Sequence, residues 1–329
     1  MTLAASRPLF ASADLGGTNI AAVLADEEGR IAARGTMPTL SYEGPEAVVA
    51  RIGDLIESLA QKVGQRPAAL GIGVPGMANL QTGETLFLPN LTTQWRNVPV
   101  RQWLAPRLGC DVYLLNDVRM AALGELAYGH GKHVRNFAFY ALGTGVGGGI
   151  VMDGKLVLGR SGSVGELGHQ TVDPNGLRCG CGNRGCLELY ISGPALTAEG
   201  VRLLLSGQAP RLYDMVGGDF GKISVKLLGE AAAAGDDRVQ ASLVRAAQCL
   251  GIGIANTITT IHPEMIVIGG GVAGLGEPLF ATVRQVIKER VGMFPTDDIR
   301  VEPSLLGDQA GTLGGVALAV RRGLQDNSV

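Results

Sequence analysis

Residues Ala11–Asp26 read ASADLGGTNIAAVLAD, and residues Phe137–Asp153 read FAFYALGTGVGGGIVMD. Each runs from an apolar strand through a glycine-rich bend into a second apolar strand. Each then closes on a turn, at Glu27–Gly29 and at Asp153-Gly154. Glycine lets the chain bend tightly and brings bare backbone N–H groups close to an anion such as phosphate. One such hairpin would mean little, because glycine-rich turns are common. The same unit in each half of the chain points to two similar domains facing one another across a cleft. A third cluster, IGGGVAG at Ile268–Gly274, makes a nucleotide the expected ligand.

Around these hairpins, further strand-like segments are Leu70–Val74, Val112–Leu115 and Met265–Ile268, beside Leu9–Ala13, Ile20–Ala25, Phe137–Leu142 and Gly149–Met152. Helical periodicity fits Pro45–Gln61, Val118–Tyr128, Val239–Ile261, Pro278–Arg290 and Gly311–Arg322. Short β-branched strands alternating with longer helices define an α/β class. The helix from Val118 directly follows Asn116-Asp117, two residue types that cap helices well. A dinucleotide fingerprint is not met, since no strand–glycine–helix unit with a downstream acid is present.

The segment Gly165–Glu188, GELGHQTVDPNGLRCGCGNRGCLE, holds three of the five cysteines and one of the four histidines. Cys179 and Cys181 are separated by one residue, Cys186 follows, and His169 lies upstream; together they suit a tetrahedral Cys3His zinc site. The intervening glycines, Gly180, Gly182 and Gly185, let the loop aim three sulfurs at one point. Disulfides are the weaker reading for an odd cysteine count without a secretory segment. Four protein ligands leave no open position, so the metal is expected to be structural. It would lock Glu166 and Glu188 onto one rigid surface, resembling the floor of a polyol pocket. Cys110 and Cys249 sit in apolar, regular contexts and are read as core residues.

At 329 residues the chain is long enough for two domains. A net charge of −2, few aromatics and no basic stretch argue against nucleic-acid or membrane-surface partners. No apolar run reaches membrane-spanning length. The opening stretch MTLAASRPLFASADLGG is interrupted by Arg7, Pro8 and Asp14 and is not read as a signal peptide. The expectation is a soluble cytoplasmic protein.

DLGGTN at Asp14–Asn19, LNDVRMAALGE at Leu115–Glu125, LGTGVGGGIV, GELGH, CGCGNRGCLE and IGGGV, in that order, resemble the ROK family of bacterial sugar kinases and sugar-responsive repressors. The resemblance extends to GDQAGTLGGVALA at Gly307–Ala319, and the cysteine-rich motif is specific to the family. It implies the actin-like ATPase (hexokinase) fold, with residues 1–117 and a returning C-terminal helix, 311–329, in a smaller domain and 118–310 in a larger one. LPNLTTQWRNVPV and ISGPALTAEGVRLL look most like the ATP-dependent glucokinases. Family members are also expected to be homo-oligomers, dimers or tetramers.

What the resemblance implies for the chemistry is specific. Phosphoryl transfer needs positioning, charge neutralisation and a carboxylate at the attacking hydroxyl. Asp117 would be that base. Gly16, Gly17 and Thr18, with Gly143, Thr144 and Gly145, would hold the ATP phosphates. Asp14 would partner Mg2+, through water because that ion keeps its hydration shell. Gly270 and Gly271 would lie under the adenosine. Gly76, Asn90, Asn116, Asp117, Glu166, His169 and Glu188 would contact the sugar, carboxylates and amides suiting vicinal hydroxyls. His169 would also bind zinc. The expected reaction is phosphorylation of a hexose 6-hydroxyl, glucose first, with N-acetylmannosamine, N-acetylglucosamine, fructose or mannose as alternatives. A sugar-sensing repressor would need a DNA-binding segment ahead of the first hairpin, and only thirteen residues precede Asp14. The chain departs from the family at Val118-Arg119-Met120, where small residues are expected, which bears on the wall beside the sugar.

Overall fold

A computed structural model describes residues 7–160 and 162–324; residues 1–6 and 325–329, on which parts of the N-terminal reading and of the 311–329 expectation fall, lie outside the described residues. In chain order the elements begin with β1 (Phe10–Leu15), β2 (Asn19–Ala25), β3 (Ile31–Pro38), α1 (Pro45–Val63) and β4 (Ala69–Val74). The short β5 (Met77–Asn79) and β6 (Glu84–Phe87) follow, then α2 (Val100–Leu108), β7 (Asp111–Asn116) and α3 (Asp117–Tyr128). Next come β8 (Phe137–Leu142), β9 (Val146–Met152), β10 (Lys155–Leu156), and four helices, α4 (Glu188–Ile191), α5 (Gly193–Leu205), α6 (Pro210–Val216) and α7 (Val225–Ala233). The chain ends with α8 (Asp237–Ile261), β11 (Met265–Gly269), α9 (Glu277–Arg290), β12 (Arg300–Pro303) and α10 (Ala310–Val320).

Among the described residues, ten strands form two five-stranded sheets of matching order, β3-β2-β1-β4-β7 and β10-β9-β8-β11-β12, and β5 and β6 pair as a separate two-stranded ribbon. In the first, β1 and β2 are the expected antiparallel hairpin, and β4 and β7 then add in parallel to β1. In the second, β11 runs parallel to β8 and β12 parallel to β11. The duplicated hairpin of the sequence is therefore the seed of a duplicated sheet. The inner strand β4 has all six residues buried, whereas β3 alternates half-buried and exposed along its length. That contrast is what a covered strand and an edge strand require.

Two compact units emerge, one of Met1–Arg135, Gly149–Gly165 and Leu305–Val329, the other of Asn136–Gly148 and Glu166–Ser304. The first is filled by Ile52, Ile56 and Leu59 of α1 packed with Leu70, Ile72 and Leu114 of the sheet. The sequence reading placed residues from 118 onward in the second domain; α3 instead belongs to the first. The reason is glycine packing. A Cβ on Gly124 would collide with the Ala310 carbonyl, and one on Gly314 with the Met120 carbonyl, so α3 and α10 touch backbone to backbone. Among the described residues, no helix is long and apolar enough to cross a membrane.

Candidate functional site

In the first unit the residues singled out gather at the carboxyl ends of β1, β4 and β7. Register pairs Asp14 with Gly73, and Val74 with Asn116, so Asp14, Gly76 and Asn116-Asp117 leave the sheet at one level. Carboxyl ends of parallel strands are where open α/β sheets place their ligands. The capping job belongs to Asn116 rather than to Asp117: the Asn116 Oδ1 accepts from the N–H groups of Val118 and Arg119, each at 3.1 Å. The helix consequently starts at Asp117, one residue earlier than the sequence indicated. The Asn116 amide nitrogen donates to Asp117 Oδ1 at 2.9 Å and to the Gly76 carbonyl at 3.2 Å. With the Val118 N–H also donating to Asp117 Oδ1 at 2.9 Å, that carboxylate is held in one orientation.

Asp14 sits where glycines make room for it. A Cβ on Gly311 would stand 2.5 Å from Asp14 Oδ2, and one on Gly73 would stand 3.1 Å from Oδ1. Burial, with the Asp117 charge as a smaller contribution, pushes the Asp14 carboxyl up to about 7. A buried carboxylate beside a second one favours a cation in that space.

The bend at Gly16–Thr18 is fastened by Thr39, a residue the motif reading missed. Its hydroxyl donates to the Gly16 carbonyl at 2.7 Å, and its N–H to the Thr18 carbonyl at 2.8 Å. Thr39 is fully buried but lies in the next strand's exit, where only tertiary pairing reveals it. Asn90 is exposed, with its carbonyl near Gly17. Trp95 is 2 % exposed and belongs to the core. The unusual Val118-Arg119-Met120 also turns inward. Met120 fills the space that Gly73 leaves, and the Arg119 Nε donates to the Val164 carbonyl at 2.6 Å.

In the second unit the hairpin Gly143–Gly145 and the loop Gly270-Gly271 stand side by side, because β8 and β11 are parallel neighbours paired through Ala141 and Gly269. Gly270 is required by this packing: with φ +86°, it leaves no space for a Cβ against the Leu142 carbonyl. Gly143 and Gly271 face open space, and Thr144 is exposed at the tip. Beside the turn Gly271–Leu275 lies a largely apolar cavity of ≈ 170 Å³ lined by residues of α7, α8 and α9, including Gly229, Leu243, Leu275 and Leu279.

His169, Cys179, Cys181 and Cys186 meet as the spacing anticipated, with all four donor atoms within 4.8 Å of one another. The Cys181 and Cys186 sulfurs are 3.6 Å apart, and Cys179 Sγ is 3.8 Å from His169 Nδ1. A tetrahedron with metal–sulfur bonds of about 2.3 Å has edges of about 3.8 Å, so the cluster fits a four-coordinate metal. All the cysteines are free thiols. The Asn183 N–H lowers the Cys181 thiol, whereas burial pushes Cys186 up to about 12. A cation is the condition under which such thiols become thiolates together. Glu166 is exposed at the start of the turn Leu167–His169, and Glu188 opens α4 directly after the cluster. Cys110 and Cys249 are half-buried and far in sequence from the cluster.

Two matching sheets, glycine bends at their strand ends and paired acids beside them define an actin-like ATPase fold of the hexokinase type. The chain belongs to the ROK family, whose model matches residues 10–322. It is 36% identical to a glucokinase of Thermotoga maritima, over 94% of this chain and 96% of that protein. A xylose repressor of Caldicellulosiruptor bescii is 33% identical over 84% of this chain and 69% of its own length. The crystal structure of a ROK family glucokinase from Streptomyces griseus, in complex with glucose and AMPPNP, is 34% identical and superposes with a TM-score of 0.82, over 96% of this chain and all of that one.

Proposed function

We propose that the chain is an ATP-dependent sugar kinase that transfers the γ-phosphoryl group to the 6-hydroxyl of a hexose, with glucose as the substrate. The observation that carries this is the fixed Asp117 carboxylate at the end of β7, one residue after its own orienting amide and close enough to Asp14 for their charges to interact. The likeness to glucokinases over nearly the whole chain supports the same reading.

In this mechanism Asp117 accepts the proton of the attacking hydroxyl as its oxygen bonds to phosphorus. Asn116 holds the carboxylate toward that oxygen instead of lending its amide to the sugar. The hairpin Gly16–Thr18 and the hairpin Gly143–Gly145 present backbone N–H groups to the phosphates. The apolar cavity beside Gly271–Leu275 takes the adenine, an apolar face suiting a purine. Asp14 would hold magnesium through water, and that ion would offset the phosphate charge. Glu166, His169 and Glu188, with Asn90, select the sugar by its hydroxyls. His169 and the three cysteines would hold zinc, which would keep that loop rigid without taking part in the chemistry.

The test is ATP consumption across glucose, mannose, fructose, glucosamine and the two N-acetylhexosamines, run beside Asp117→Asn. Loss of a general base costs on the order of 10²–10⁴ in kcat. Turnover on glucose that falls by that factor, with sugar affinity retained, supports the reading. Turnover confined to an N-acetyl sugar keeps the mechanism and replaces the substrate. Tight sugar binding without turnover on any sugar sinks the kinase and favours a sensor.

A further inference from the structure

Three contacts join the cysteine-rich loop to the glycine hairpin of the second unit. The Val146 N–H, which closes the bend, donates to Glu188 Oε2 at 2.9 Å. The Gly193 N–H, five residues beyond Glu188, donates to the Gly143 carbonyl at 2.8 Å. Gly168, in GELGH, lies flat on the Val146 carbonyl, where a Cβ would collide. Gly145 owes its lack of a side chain to the same arrangement, since a Cβ there would stand 2.5 Å from Glu188 Oε2. A carboxylate beside a phosphate-binding bend is electrostatically unfavourable unless something fixes and partly neutralises it. The Val146 N–H does both, as a charge-assisted hydrogen bond.

From this geometry we infer that Glu188 is a positioning residue for the nucleotide: it holds the Gly143–Gly145 bend in shape, so the metal-supported loop carries phosphate binding as well as the sugar contact. The inference rests on the kinase reading above and deepens it. Its consequence is a link between the two substrates that runs through one carboxylate and no moving part. A purely sugar-binding Glu188 would leave nucleotide affinity untouched in the absence of sugar.

The measurement is calorimetric titration of the full chain with a non-hydrolysable ATP analogue and Mg2+, without sugar. The panel is wild type, Glu188→Asp, Glu188→Gln and Glu188→Ala, with zinc content checked in each. Glu188→Asp keeps the charge but withdraws the oxygen by one methylene, so it is expected to weaken nucleotide binding about tenfold, as does Glu188→Ala, because the Val146 N–H loses its acceptor. Glu188→Gln retains an acceptor oxygen and stays within about threefold of wild type. If Glu188→Ala does not fold, the Asp and Gln variants decide the matter between them. Unchanged nucleotide affinity in Glu188→Asp, with only the sugar KM raised, overturns the inference alone. No nucleotide binding by the wild-type chain overturns the kinase reading and the inference with it.

Discussion

Asp14 is held at an energetic disadvantage that its neighbours cannot relieve. Its carboxyl titrates at about 7 in the folded chain against 3.8 for the free group, burial being the main cause and the Asp117 charge the second. Between those two values the folded chain keeps a proton that the unfolded chain has lost. Stability therefore falls as pH rises through this window, and the whole penalty stands above about pH 7. Asp14→Asn removes the penalty while keeping the shape. In magnesium-free buffer at pH 8 the variant is expected to melt a few degrees above wild type, with the difference closing as pH falls toward 4. Its activity should drop, since stability gained at a functional carboxylate is commonly lost from function. Thermal melts at pH 5 and pH 8 decide it, and equal melting points at pH 8 would refute the account of Asp14. Residues of this kind were only partly legible. Asp14 announced itself through DLGGTN, but its altered acidity depends on Gly73, Gly311 and Asp117, three positions distant in sequence. The Thr39 fastening and the Glu188–Val146 bond were invisible for the same reason: each joins residues that only the fold brings together.

The helices and strands that the sequence revealed are those with a strong local pattern. α1, α8 and α9 carry an apolar stripe over three or more turns, and β4, β8 and β11 are nearly all apolar. Those that escaped notice are edge or broken elements. β3 and β12 place arginine, glutamate and proline at the sheet edges, and α2 holds a proline in its interior. α6 is short, and both α5 and α6 carry a proline in their first two positions. α10, which the sequence pattern does mark at Gly311–Arg322, is the instructive case, because its glycines argue against a helix on propensity alone. An exposed Gly→Ala change in a helix would gain roughly 1 kcal/mol. At Gly314 the same methyl would overlap the Met120 carbonyl, which is backbone and cannot rotate away. Overpacking of that kind costs about 1–3 kcal/mol, so the sign reverses. Because the clash is with backbone, the upper end of that range applies, and Gly314→Ala is expected to destabilise the chain by roughly 2 kcal/mol net of that propensity gain. Chemical denaturation followed by circular dichroism measures it; a stabilised variant would mean that α3 and α10 are not in backbone contact.

At the scale of the molecule, the segment from Glu166 to Cys186 is a long stretch whose only regular structure is one short turn and two isolated bridges, Thr171 to Cys186 and Arg178 to Arg184. So long an irregular segment in a compact fold needs a device to hold it. Neither an apolar core nor a disulfide supplies one here, since Cys181 is exposed and every thiol is free. A metal on His169 and the three cysteines is the device the donor geometry fits, and its binding energy would then be folding energy. One zinc per chain is accordingly expected by elemental analysis of the purified protein. Prolonged chelation should lower the melting temperature by several degrees, and added Zn2+ should restore it. The cysteines should not be equivalent. Cys186 is fully buried, and Cys186→Ser would leave a hydroxyl with a poor metal affinity inside the loop, so zinc and stability should both be lost. Cys181 is exposed, so in Cys181→Ser water can take the open position, and the metal should stay with weaker affinity. A chain that purifies without metal and melts identically with and without chelator would remove zinc from the account. The glycine hairpin anchored by Glu188 would then have to be held by the protein alone.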